Sequence, residues 1–266
     1  MGIRFLLVDA LNLVRRVYAA QPGDDNPEKA AGAQISSKQS LQRALRECKP
    51  THAVVIFEGR EPNWRHLLYR DYKSNHKPMP AALRAALPAY RDAFAELGVT
   101  SFEMPKVEAD DVIGTLAVKI AEAGSQAVIL STDKVFLQLL SDKIFVRDHF
   151  KQSYLDHAYV DQRFGVKPEK FVDFLALTGD STNSIRGVPG IGPKTAAKLI
   201  EDFGSLDEIL AAAASTKSDD RAPVLSMKMR DKFVDYSEDA RQAQSLVRLQ
   251  TDLTLGLNLK ALRYKL

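Results

Sequence analysis

The chain has 266 residues, with 37 Lys and Arg against 34 Asp and Glu and a net charge of +3, so bulk charge points to no partner. Apolar residues make up 45% and charged residues 27%, the balance of a globular protein rather than a disordered or fibrous one. The longest early apolar run, "FLLVDALNLV", is interrupted by Asp9 and too short to span a bilayer, and it lacks a signal-peptide pattern. The single cysteine, Cys48, excludes an intrachain disulfide framework or a cysteine zinc site and makes a reducing cytoplasm the expected compartment.

In chain order, "IRFLLVDA" (3–10) reads as a buried parallel strand with Asp9 at its carboxyl end. Residues 21–33, rich in Pro, Gly and charge, read as a loop, and "SLQRALREC" as a helix. "HAVVIFEG" (52–59) is a second strand, again ending in an acid, Glu58. Between Arg60 and Arg91 stand seven Lys and Arg (Arg60, Arg65, Arg70, Lys73, Lys77, Arg84, Arg91) against Glu61 and Asp71, interleaved with Trp64, Tyr69 and Tyr72. Clustered cations among aromatics suit a phosphate backbone with splayed bases, which makes Arg65, Tyr72 and Lys77 candidate DNA contacts. The other reading is a solvated basic surface with aromatic core packing.

Helical spacing follows over 80–98, with a break or kink expected at Pro88. "EADDVIGTLAVKIAEAG" (108–124) is an amphipathic helix with Glu108, Asp110 and Asp111 at its start. "QAVILSTD" (126–133) is a third strand ending at Asp133, and "KIFVRD" a fourth. Alternating strands and helices predict an α/β fold with a mostly parallel sheet and flanking helices. After about residue 167 the chain reads as helical, with an Ala-rich run (211–214) and a polar loop near 215–220. Two segments are expected, 1–166 catalytic and 167–266 helical.

Asp9, Glu58, Glu108, Asp110, Asp111, Asp133 and Asp180 all fall at element ends. Singly, each could cap a helix or a turn. Converging on one pocket, they would repel one another unless a cation sat among them. No His or Cys cluster accompanies them, so a hard divalent ion, Mg²⁺ or Mn²⁺, is the candidate, and phosphodiester hydrolysis its chemistry. Lys73 would stabilise charge on a transferred phosphate. An aspartyl-nucleophile phosphatase is disfavoured, since Ala10 and Leu11 follow Asp9.

"GVPGIGPKTAAKLI" (187–200) is the sharpest motif. Gly190 and Gly192 permit a tight turn and close backbone approach, and Pro193 suits the first position of a helix. The free N–H groups from Gly190 through Ile191 to Lys194 and Thr195, with Lys194 and Lys198 adding charge, make a phosphate grip indifferent to base sequence.

The strings "LLVDALNLVRR", "WRHLLYRDYKSN", "EADD", "STDKVFLQLLS", "FGVKP" and "GVPGIGPKTA" occur in order over nearly the whole chain. Together they resemble the bacterial 5′-nuclease (flap endonuclease) family, nearest its stand-alone exonuclease IX branch. The resemblance implies a PIN-like α/β nuclease domain followed by a helix-hairpin-helix domain. It also implies divalent-metal cleavage of 5′-flap or branched DNA in replication and repair, by a monomer in the simplest reading. Asp9, Glu108, Asp110 and Asp111 match metal-binding acids, Glu58 stands for an Asp, and Lys73 matches an active-site lysine, while His76 stands where an Arg is usual. Asp133 and Asp180 match first acids of two further motifs whose second acids are here Val135 and Asn183, which thins the second metal site. In this branch Asp110 is the position expected to touch metal directly. The branch also implies K⁺ on the main-chain carbonyls of Leu177, Thr178, Arg186, Val188 and Ile191. The thinned acids keep an alternative open, a branched-DNA binding protein with little or no cleavage.

Overall fold

In the computed structural model, which describes residues 2–59, 62–215 and 225–264, the first apolar run forms strand β1 (Arg4–Asp9). Arg60 and Glu61 of the basic window, and residues 216–220 of the polar loop, lie outside the described residues. Helix α1 (Ala10–Ala20) follows β1 without a connecting loop, and the Asp9 carboxylate caps it by accepting from the Asn12 N–H. Helix α2 (Pro27–Cys48) begins well before the expected "SLQRALREC", so the second half of the supposed loop is helical. Asn26 caps it by accepting from Lys29 N–H and Pro27 takes its first position. The buried face there is Ala30 and Ala33, too small to show as a hydrophobic period.

Next come β2 (His52–Phe57), the short α3 (Trp64–Leu68) and α4 (Ala81–Ala95). Helix α4 continues through Pro88 rather than ending there. Its start is held from outside: Asp25 accepts from the N–H groups of Ala81 and Ala82. Its later turns are anchored by buried Tyr90 and Phe94. Then follow β3 (Thr100–Glu103), α5 (Ala109–Glu122), β4 (Gln126–Leu130), β5 (Ile144–Asp148) and β6 (Ser153–Leu155). Strands β3 and β6, at the two edges, are too short for a sequence period.

The sheet order is β3-β2-β1-β4-β5-β6, parallel except that β6 runs antiparallel to β5. β1, β2 and β4 are buried along nearly their whole length, which explains their unbroken apolar runs. The chain moves outward from β1 to β2 and β3, then crosses back to place β4 on the other side of β1. The connection order therefore reverses between β1 and β4, where α/β sheets open a crevice beyond the strand ends.

Among the described residues that follow are the α-helices α6 (His157–Phe164), α7 (Phe171–Thr178), α8 (Pro193–Phe203), α9 (Leu206–Ala214), α10 (Met227–Asp235) and α11 (Ser237–Val247). Among the described residues no helix is long and apolar enough to cross a membrane. The chain divides into two compact units, and neither is a contiguous half. The sheet unit is Met1–Trp64, Lys77–Leu155 and Gln250–Leu266; the helical unit is Arg65–His76 and Asp156–Leu249. This differs from a division at 166/167 for local reasons. The last segment returns to the sheet unit, where Gln250 N–H donates to Asp111 and Tyr264 N–H to the Thr51 carbonyl.

Residues 65–76 join the helical unit through Arg65, which is only 2% exposed. Its Nε donates to the Leu246 carbonyl at 2.8 Å and its Nη2 to the Arg248 carbonyl at 3.0 Å, satisfying the end of α11. Arg65→Ala would bury those carbonyls without partners and open a cavity. A loss of about 2–4 kcal/mol in urea unfolding is expected. A loss within about 0.5 kcal/mol, as for an ordinary surface change, would contradict the role.

Candidate functional site

Three strands neighbouring one another in the sheet deliver acids to one edge: Asp9 ends β1, Glu58 follows β2 and Asp133 follows β4. Asp9 is buried and bridges the point of reversal, its Oδ2 accepting from Ser131 Oγ at 2.8 Å. Beside it, the Thr132 N–H and hydroxyl both donate to Asn12 Oδ1. Burial pushes the Asp9 carboxyl up to about 7. The bonds from Asn12 and Ser131 oppose that rise, and the charges of Asp133 and Glu58 add to it. The three carboxylates therefore act on one another. Glu58 also accepts from the Ala109 N–H, which ties the start of α5 to the same edge.

At that start the three acids have different environments. Glu108 is the N-cap residue and is buried. Asp111 is fully buried, Oδ2 accepting from Trp64 Nε1 and Oδ1 from Gln250 N–H. Those bonds make Asp111 a strut that seats Trp64 and the returning segment. Asp110 is the one of the three that is partly exposed. Val135, standing where a second acid was looked for, is in the core, while Asp133 caps its turn by accepting from Val135 N–H. Among the described residues no group of three or more Asp, Glu, His or Cys side chains is gathered closely enough to hold a metal ion. The donor set suits a hard divalent ion all the same, being all oxygen with a buried carboxylate whose charge the neighbouring acids disfavour.

In the helical unit the basic segment is stitched onto the polar turn. Lys73 N–H donates to the Asn183 carbonyl, Asn75 Nδ2 to the Ser181 carbonyl, and the His76 ring pairs through Nε2 with the Thr182 carbonyl. Lys73 holds a left-handed backbone, φ 55°, with its ammonium 5.4 Å from the Tyr72 ring centre. Two expected DNA contacts are corrected here. Arg65 is engaged with α11, and Tyr72 is buried edge-on to His66, so neither is open to a strand. In the sheet unit, Lys77 is exposed and its carbonyl accepts from Arg15.

Asp180 also differs from expectation. It is buried, one oxygen accepting from Thr182 N–H and the other from the Asn183 amide at 2.8 Å. Asn183 thus holds the acid within the turn, and Asp180 is a cap. Behind it Gly179 and Gly187 meet backbone to backbone: a Cβ on Gly187 would overlap Gly179 N and the Leu177 carbonyl.

Helix α8 starts at Pro193 with Gly192 as cap, and no side chain fills the cap position. A Cβ on Gly192 would meet nothing within 4 Å, so the approach to those N–H groups is open. Lys194 is exposed; Lys198 is ion-paired with Asp202 and Glu201, which reduces its charge toward a strand. No local pattern singles out Lys232, which lies on α10, 43 residues from Pro189. Its ammonium donates to the Pro189 carbonyl at 2.6 Å and lies against the open side of Gly190, φ 74°. Of the five carbonyls expected to hold K⁺, those of Leu177 and Val188 already accept amides, from Val188 and Ile191. Each retains a second lone pair.

Two family models cover the chain end to end. The N-terminal resolvase-like domain of 5′-3′ exonuclease matches residues 4–165, and its C-terminal SAM-fold domain residues 166–266. The chain belongs to the 5′-3′ exonuclease family. Flap endonuclease Xni of Aeromonas salmonicida is 43% identical to it over 263 residues, covering 97% of this chain and 96% of the relative. The Xni protein of Photobacterium profundum is 41% identical over 266 residues, covering 99% and 98%. Among solved structures, a T5 5′-exonuclease bound to zinc ions superposes with TM-score 0.74 at 23% identity, over 93% of this chain and 90% of that one. The catalytic core of Rad2 in complex with DNA substrate gives 0.59 at 15%, over 94% and 80%. Both likenesses establish a shared fold.

The raised Asp9 carboxyl has a direct consequence for stability. The folded protein binds that proton more tightly than the unfolded chain, so the contribution is full below about 4 and lost as pH rises through about 7. In EDTA at pH 8, Asp9→Asn should unfold several degrees higher than the wild type in a thermal melt. An unchanged or lower midpoint would show that the charge is not a burden on the fold.

Proposed function

We propose that this chain is a flap endonuclease with 5′-3′ exonuclease activity, hydrolysing phosphodiester bonds in 5′-flap or branched DNA with Mg²⁺, or Mn²⁺ in its place. The observation that carries this reading is the placement of Asp9, Glu58 and Asp133 at the ends of three neighbouring strands, where the order of the sheet reverses. Asp9, Glu58, Glu108, Asp110 and Asp133 would hold the divalent ion. When bound, that ion supplies a Lewis acid for the phosphate and an activated water. Asp110, partly exposed at the start of α5, orients the water; Asp111 fixes α5 beneath it through Trp64 and Gln250. Lys73 offers a cation to a phosphate, on a backbone held by the 181–184 turn. The N–H groups of Gly190, Gly192, Lys194 and Thr195, with the Lys194 ammonium, grip backbone phosphates of any sequence, while the Ile191 N–H is held by the Val188 carbonyl.

A second reading, a branched-DNA binder without turnover, draws on Val135 in the core and on Asn183 engaged with Asp180. Labelled 5′-flap DNA with Mg²⁺ separates the two. The wild type should cleave, and Asp110→Ala should fall by about 10²-fold or more, the scale of losing one group that acts on transition-state charge. Tight binding with no cleavage in Mg²⁺ or Mn²⁺ would favour the second reading.

We also propose K⁺ at the hairpin, on carbonyls of Leu177, Thr178, Arg186, Val188 and Ile191. Flap affinity should then rise when K⁺ replaces tetramethylammonium at equal ionic strength. Equal affinity in the two salts would reject it.

A further inference from the structure

A cavity of about 580 Å³ opens in the sheet unit beside Glu58. One wall is a single face of α4: Arg84, Leu87, Pro88 and Arg91 are spaced three, one and three residues apart, the period of a helix stripe. The opposite wall holds Leu11, two residues beyond Asp9, with Phe57 and Glu58 at the end of β2. The volume lies in the range of small-molecule sites and exceeds what a phosphate requires.

The chemistry of the lining is mixed in a particular way. Arg91 is neutralised by an ion pair with Glu103, and its guanidinium stacks 3.9 Å from the Phe57 ring centre, which fixes it as a flat plate. Arg84 and Glu58 carry opposite charges, so the cavity as a whole favours neither an anion nor a cation. Pro88 has no N–H to give to the Arg84 carbonyl one turn earlier. Apolar groups, a guanidinium plate, donors from Arg84 and an acceptor from Glu58 suit a flat, neutral ligand with a hydrogen-bonding edge.

We infer that this cavity takes one unstacked nucleobase of the bound strand, from a nucleotide next to the phosphate at the carboxylate edge. The inference rests on the nuclease reading for the identity of the strand. The surroundings of Glu58 then have two tasks, metal ligation outward and base recognition inward. A base leaving the stack loses a few kcal/mol, and a shaped pocket returns much of it through stacking and edge contacts. Pro88 also acquires a reason: it breaks the hydrogen-bond ladder of α4 at the face that lines the cavity without ending the helix.

The test is a binding cycle on flap DNA without divalent metal, so that it does not depend on cleavage. An abasic residue is placed in turn at each nucleotide flanking the junction. At one position the wild type should lose about tenfold in affinity, the scale of one stacked base. Leu87→Trp, which fills the cavity, and Arg84→Gln, on the exposed rim, should each bind the intact flap more weakly and lose no more than about twofold on the abasic one. If Leu87→Trp lowers the thermal midpoint, Arg84→Gln alone decides. The inference is overturned if no position is sensitive, or if the abasic penalty is as large in the variants as in the wild type. Cleavage of the intact flap by the wild type in Mg²⁺, measured alongside, shows whether the nuclease reading survives that result.

Discussion

Everything at the candidate site depends on a carboxylate placed where it is costly. Asp9 is buried at the end of the central strand, between strands that carry Glu58 on one side and Asp133 on the other. Its two internal bonds, from Asn12 N–H and Ser131 Oγ, fix its direction without cancelling the effect of burial and like charge. A fold keeps such a group when something bound restores the balance. The reversal of strand order creates the crevice, β1 and β4 supply its walls, and α5 brings further acids to its rim.

The helical unit, in the function we propose, has a different problem, holding a strand without reading it. Its basic segment and its polar turn are knitted together by the Lys73 N–H and by the Asn75 and His76 side chains, all three on main-chain carbonyls of the turn. Its hairpin is set by backbone packing of Gly179 on Gly187 and anchored by Lys232 on the Pro189 carbonyl. The Asn75 and His76 side chains, which could otherwise read a base edge, are engaged with the turn, so the grip we propose would be indifferent to base sequence.

Much of this was legible in the sequence, and the limits have physical causes. The buried parallel strands and their terminal acids could be read because burial on both faces writes unbroken apolar runs. The hairpin could be read because glycine and proline have local conformational meaning at Gly190, Gly192 and Pro193. What could not be read was the assignment of polar side chains to partners far along the chain. Arg65 and Tyr72 look like a strand-binding pair in sequence. In the fold, one satisfies carbonyls about 180 residues away and the other is packed under His66. Asp111 is indistinguishable from Asp110 in "EADD"; only the Trp64 and Gln250 bonds separate a strut from an open acid. The α2 start was hidden by its alanine face, and whether Pro88 ends or only bends its helix depends on the burial of Tyr90 and Phe94, which a local pattern does not show.

The central claim is that the sheet edge is built for a divalent cation that relieves the cost of a buried carboxylate, Asp9, beside the acids Glu58 and Asp133. The most direct measurement is the thermal midpoint of the wild type, without DNA, as Mg²⁺ is titrated at pH 8 and constant ionic strength. A ligand that binds only the folded state must raise that midpoint with concentration. The prediction is a rise that saturates with Mg²⁺ and does not occur with Na⁺ at equal ionic strength. A midpoint that stays flat across the Mg²⁺ titration would contradict it.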